Sequence, residues 1–106
     1  MNIRLVKLYD MYAALLSDRQ REIMDLYYNE DESLAEIAEN TGITRQGVRD
    51  WIKKTEAQLE GFEAALKLVD RSERLLYQLQ TAKKALEKGN VRLASSAITT
   101  AEGLLP

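Results

Sequence analysis

The sequence predicts an all-α protein in which a helix-turn-helix within a three-helix core leads into a long C-terminal helical extension. Three observations predict it. The chain of 106 residues carries a single proline, at its last position, so nothing interrupts long helices. Two capping-box signatures, Ser17 to Gln20 and Ser33 to Glu36, open amphipathic runs. From Val48 onward, apolar or small residues fall at 48, 52, 55, 59, 62, 66 and 69, a strict alternation of four and three that marks a heptad seam.

Taken in order, Leu5, Leu8, Tyr9, Tyr12 and Leu15 or Leu16 recur at helical steps and define a first helix ending near Leu16. The Ser17 hydroxyl can accept the Gln20 amide while the Gln20 side chain reaches back, so a second helix starts there and buries Ile23, Met24, Leu26 and Tyr27. Residues 29–32, Asn-Glu-Asp-Glu, have no apolar period and read as a solvated loop. They lack the glycine and distal glutamate of a calcium loop. Ser33 opens a short third helix with Leu34, Ile37 and Ala38 inward, and Gly42 suits the left-handed conformation needed just past its end. Thr44 caps the next helix. A further segment carries Leu75, Leu76, Leu79, Ala82 and Leu86 and stops at Gly89 and Asn90. The pattern leaves open whether it continues the heptad helix or restarts near Asp70 or Ser72. Asn90 caps a last helix with Val91, Leu93, Ala94, Ala97 and Ile98, fraying toward Gly103.

The pattern places a helix-turn-helix domain over 1–58 and a helical extension, for dimerisation or interaction, over 59–106. With no cysteine and no histidine, disulfides, the usual zinc, haem and iron–sulfur ligands, and imidazole catalysis are all excluded, and no cofactor or metal is expected. No nucleophile with a base, paired carboxylates in a cleft or phosphate-cradling glycine loop is visible, so neither an enzyme nor a small-molecule substrate is expected. No run approaches the roughly 18 apolar residues of a membrane span, and the N-terminus lacks a signal-peptide pattern, which gives a cytoplasmic expectation without membrane insertion.

The net charge of −2 is unevenly spread: +1 over 1–16, −5 over 17–60 and +2 over 61–106. Within the acidic middle, residues 44–54 hold four basic residues against one acid. Segments 34–40 and 45–53, joined by a short turn around Gly42, have the spacing of a DNA-reading helix-turn-helix. Ala38 is small where the helices cross, and Ile37, Ile43, Val48 and Ile52 fill the space between them. Thr44, Arg45, Gln46, Arg49, Lys53 and Lys54 are therefore the candidate nucleic-acid-binding residues, for DNA or RNA. The surrounding carboxylates oppose counterion release and hold single-site affinity down. Trp51, beside Val48, Ile52 and Thr55, reads as packing at the helix junction rather than as a stacking platform.

Three stretches, LSDRQREIMDLYY (16–28), SLAEIAE (33–39) and ITRQGVRD (43–50), resemble region 4 of sigma factors. With LYDMYAALL (8–16) in front and IKKTEAQLE (52–60) behind, the chain more closely resembles the YlxM family of small bacterial helix-turn-helix proteins over about residues 5–70. That resemblance implies a regulatory or adaptor role associated with the signal recognition particle pathway, with components of that particle as partners. The competing reading is a protein-interaction adaptor in which the helix-turn-helix is only a scaffold.

The heptad stripe runs about 33 Å, longer than three preceding helices are expected to cover. Leu59, Phe62, Leu66 and Val69 are accordingly expected at the interface of a homodimer, with residues 72–88 folding back as the alternative cover.

Overall fold

A computed structural model describes residues 2–106. Among them there are six α-helices and no strand: α1 (Ile3–Tyr12), α2 (Asp18–Tyr28), α3 (Leu34–Thr41), α4 (Arg45–Leu66), α5 (Leu68–Glu87) and α6 (Val91–Glu102). A 3-10 turn, Ala13–Leu15, follows α1. No helix of the described residues is long and apolar enough to cross a membrane. The chain divides into two compact units, one through Leu66 and one from Lys67 to Pro106.

Local chemistry sets the ends of the first unit's helices. Both capping boxes close reciprocally: Ser17 and Ser33 hydroxyls accept the amides of Gln20 and Glu36, whose side chains accept the serine N–H groups in return. The Ser33 N–H and hydroxyl hold the exposed Glu36 carboxyl below its ordinary pKa. Helices α1, α2 and α3 all pack on α4. Leu8, Ile23, Met24, Ile37, Val48 and Leu59 are fully buried between them. Tyr27, expected inside, is only partly covered, and its ring leans on Tyr28 at 5.2 Å.

Polar side chains tie this core across long sequence distances. The Tyr12 hydroxyl donates to Glu63 Oε1 at 2.5 Å in a buried contact, and Tyr28 donates to Glu56 Oε2 at 2.5 Å. Tyr9 donates to Asp25 Oδ1 at 2.6 Å. Burial first, and then the neighbouring carboxylate, push the Tyr9 and Tyr28 phenols far above their ordinary pKa. Buried Gln20 donates to Thr55 and to Gln58, pinning α2 to α4.

The heptad stripe lies on two helices, because Lys67 adopts a left-handed conformation (φ 55°) that ends α4 at Leu66 and lets α5 begin at Leu68. Leu59 is fully buried inside the first unit, and Phe62 is partly buried with its ring 5.8 Å from that of Tyr12. Leu66 is exposed, and Val69, the first buried position of α5, belongs to the second unit.

The second unit is a helical hairpin. Gly89, at φ 72°, turns the chain, and Asn90 caps α6 by accepting the Leu93 amide. Ala82 and Ala85 of α5 pack on Ala94 and Ala97 of α6, with Ala101 buried one turn on.

Candidate nucleic-acid interface

The turn between α3 and α4 is built to aim α4. Thr41 returns its hydroxyl to the Ile37 carbonyl, and Gly42 (φ 74°) donates its N–H to the Ala38 carbonyl, which closes α3 in the left-handed form expected for that glycine. The Thr44 hydroxyl accepts the Gly47 amide at 3.0 Å and starts α4. A side chain at Gly47 would bring its Cβ to 2.7 Å from Ile43 Cγ2, so the tight passage of the turn beneath α4 favours glycine there. From α2, Arg19 donates to the Thr41 carbonyl at 3.0 Å and fixes the far side of the same turn.

With Val48 and Ile52 buried, the helical period turns the opposite face of α4 to water. Thr44, at the cap, and Arg45, Gln46, Arg49, Lys53 and Lys54 of α4 are all exposed, with Arg45 at the flank of the buried stripe. Arg45, Arg49 and Lys53 follow one another at four-residue steps and form a single basic row. Among the described residues none of the four cations is in an ion pair, whereas Arg4, Arg19, Arg21 and Arg74 each hold a carboxylate. Gln46 donates to Asp50 at 2.9 Å, which occupies the one acidic side chain of the segment.

Two shallow clefts flank the row. Leu34 of α3 with Arg45, Gln46 and Arg49 lines one of about 270 Å³. Gly47, Asp50, Trp51 and Lys54 line another of about 240 Å³, so Trp51 sits partly exposed at its wall. Exposed guanidinium groups one turn apart can take phosphate oxygens or a guanine edge, and the lysines can take phosphates. Sequence reasoning missed the packing role of Gly47 and the Arg19 strap. The first had a signal in the glycine placed in the opening turn of a helix, and the second had none.

Comparison with known proteins places the chain in a bacterial family. A family model described as "Putative helix-turn-helix protein, YlxM / p13 like" (UPF0122) matches residues 1–95. A UPF0122 protein of Thermoanaerobacter sp. (strain X514) is 50% identical over 80 residues, covering 76% of this chain and 68% of that one. One of Halalkalibacterium halodurans is 45% identical over 86 residues, covering 81% and 79%. One of Symbiobacterium thermophilum is 39% identical over 95 residues, covering 90% and 89%. The chain belongs to the UPF0122 family, which is described as helix-turn-helix and not as a family of enzymes.

Proposed function

We propose that this UPF0122 protein is a cytoplasmic regulatory or adaptor protein that binds nucleic acid through the outer face of α4. The observation that carries the reading is the unpaired basic row of Arg45, Arg49 and Lys53, exposed along a helix whose inner face is locked by Val48 and Ile52. The arginines read or clamp, and Lys53 and Lys54 contribute phosphate contacts. The acidic residues elsewhere in 17–60 limit the gain from counterion release and keep single-site affinity modest.

The family resemblance supports a place in the signal recognition particle pathway, with components of that particle as partners. A second reading, the interaction adaptor, draws its support from the exposed Leu76, Tyr77, Leu79 and Leu86 of α5. Titrating the chain against duplex DNA and structured RNA over a salt series separates the two. If all four cations meet phosphates, the logarithm of the affinity for duplex falls with log salt at a slope of about −3 to −4. Replacing Arg45, Arg49 and Lys53 with alanine flattens that slope, and each arginine that reads a base costs about 1–3 kcal/mol. Nucleic-acid binding unchanged in the triple variant removes the reading.

A further inference from the structure

Where α5 and α6 pack together the small side chains are inside, and most of the large ones are outside. Ala82, Ala85, Ala94, Ala97 and Ala101 make up the seam between α5 and α6. Leu79 and Leu86 of α5 and Val91, Ile98 and Leu105 are each between 47% and 68% exposed. A helical period puts Leu79 and Leu86 about a quarter turn to one side of the line through Gln78, Ala82 and Ala85 that faces α6. Val91 and Ile98 flank the α5-facing alanines of α6 in the same sense. Because the two helices run in opposite directions, both flanks fall on one broad face of the hairpin. The other broad face is mixed and polar, where Tyr77, Thr81, Lys84, Lys88 and Leu93 border an open groove of about 450 Å³.

The apolar face has an internal order. Leu68, Ser72, Leu75, Leu79, Ala82 and Leu86 follow one another at steps of four, three, four, three and four along α5. This is the repeat of a helix seam that packs knobs into holes on another helix, and of its positions only Ala82 is buried against α6. No charged residue occupies any of these positions.

We propose that this face is the contact surface for a second copy of the chain, two α5–α6 hairpins closing face to face as a four-helix bundle. Three features select this occupant. Identical copies bring identical charges, and the uncharged α5 stripe can be set against its own copy without like-charge repulsion, with Glu102 one turn from Ile98 the acid nearest it on α6. The exposed side chains amount to on the order of 500 Å² per copy, so a symmetric pair buries about 1,000 Å², the scale a specific interface requires. The alanine seam buries too little apolar surface to hold two helices together unaided, so the hairpin needs a partner wherever the chain is present. The proposal is independent of nucleic-acid binding.

The full chain in solution tests it. Sedimentation at tens of micromolar gives a species of twice 12.1 kDa, and the melting temperature rises with protein concentration. The double substitution Leu79→Glu with Ile98→Glu returns a 12.1 kDa species, while Tyr77→Glu on the other broad face leaves the dimer intact. Should the double glutamate variant lose its helices, the milder Leu79→Ala with Ile98→Ala still weakens dimerisation at least tenfold. A parent chain that stays monomeric with a concentration-independent melt overturns the proposal, whether a different protein or a lipid vesicle then occupies the face. So does a dimer that survives the leucine and isoleucine substitutions but not Tyr77→Glu. Nucleic-acid binding measured on the same variants keeps failure of the dimer distinct from failure of the α4 interface.

Discussion

The two units bury opposite kinds of residue. The first, through Leu66, encloses leucine, isoleucine, methionine and tyrosine and ties them with tyrosine–carboxylate bonds and the Gln20 amide. The second encloses Val69 and alanines and leaves most of its leucines exposed. Equal helicity thus hides unequal completeness. Helix α4 gathers three other helices around itself and gains its tertiary support within the unit, whereas the α5–α6 hairpin presents its larger apolar surface outward. The first arrangement suits a rigid platform that aims a basic helix face, and the second suits a surface waiting to be covered.

The two units should differ most in how they respond to truncation of a large apolar side chain. Ile23→Ala, at a fully buried position, lowers the unfolding free energy of the first unit by about 2–5 kcal/mol. At concentrations too low for pairing, Leu86→Ala stays within about 0.5 kcal/mol of the parent. Urea denaturation read by circular dichroism checks both, and equal losses would erase the distinction drawn between the units.

Alkaline pH sharpens it. The Tyr9 and Tyr28 phenols are raised in the folded state and ordinary in the unfolded chain, so their contribution is fully present below about pH 10. As pH climbs above that, the unfolded chain releases protons that the folded unit retains, and stability falls. Tyr28→Phe removes a bond to a carboxylate, costs about 1.5–3 kcal/mol at neutral pH, and lessens the alkaline loss. Denaturation midpoints at pH 7 and pH 11, with tyrosinate absorbance followed in parallel, provide the check.

Two glycines of α4 give smaller effects of opposite sign. Gly47→Ala must displace the β-branched Ile43, and overpacking outweighs the helical gain by about 1 kcal/mol. Gly61→Ala meets nothing within 4 Å and stabilises by up to about 1 kcal/mol. Thermal melts of the two variants should move in opposite directions. The smallest effect belongs to Glu36. Its carboxyl is depressed in the fold, so the stabilisation it lends α3 is present above the ordinary carboxylate range and is lost as pH falls through the folded value. Glu36→Gln should remove that acid dependence from a melt series between pH 5 and pH 3.

What was legible in the sequence was local. Ser17, Ser33, Gly42, Thr44 and Asn90 signal their caps and turns through residues three or four positions away, and each acts as read. The exposure of Arg45, Arg49 and Lys53 followed from the burial of Val48 and Ile52 on the same helix. What was illegible joins distant residues or turns on one backbone angle. Tyr12 finds Glu63 across 51 positions, and no spacing rule links them. Periodicity showed that Leu59 and Phe62 need cover but not that α1 extends along α4 to provide it. Lys67 breaks the long helix with neither glycine nor proline to mark it, in a stretch where the heptad runs on undisturbed.

Backbone amide exchange on the full chain at two protein concentrations tests the central contrast most directly. Amides of α2 and α4 around Ile23, Ile52 and Leu59 are expected to be protected equally at about one and about one hundred micromolar. Amides of α5 around Leu79 and Ala82 exchange rapidly in the dilute sample and slow at least tenfold in the concentrated one. Protection of the hairpin that is high and independent of concentration would contradict it, because the alanine seam would then be sufficient alone.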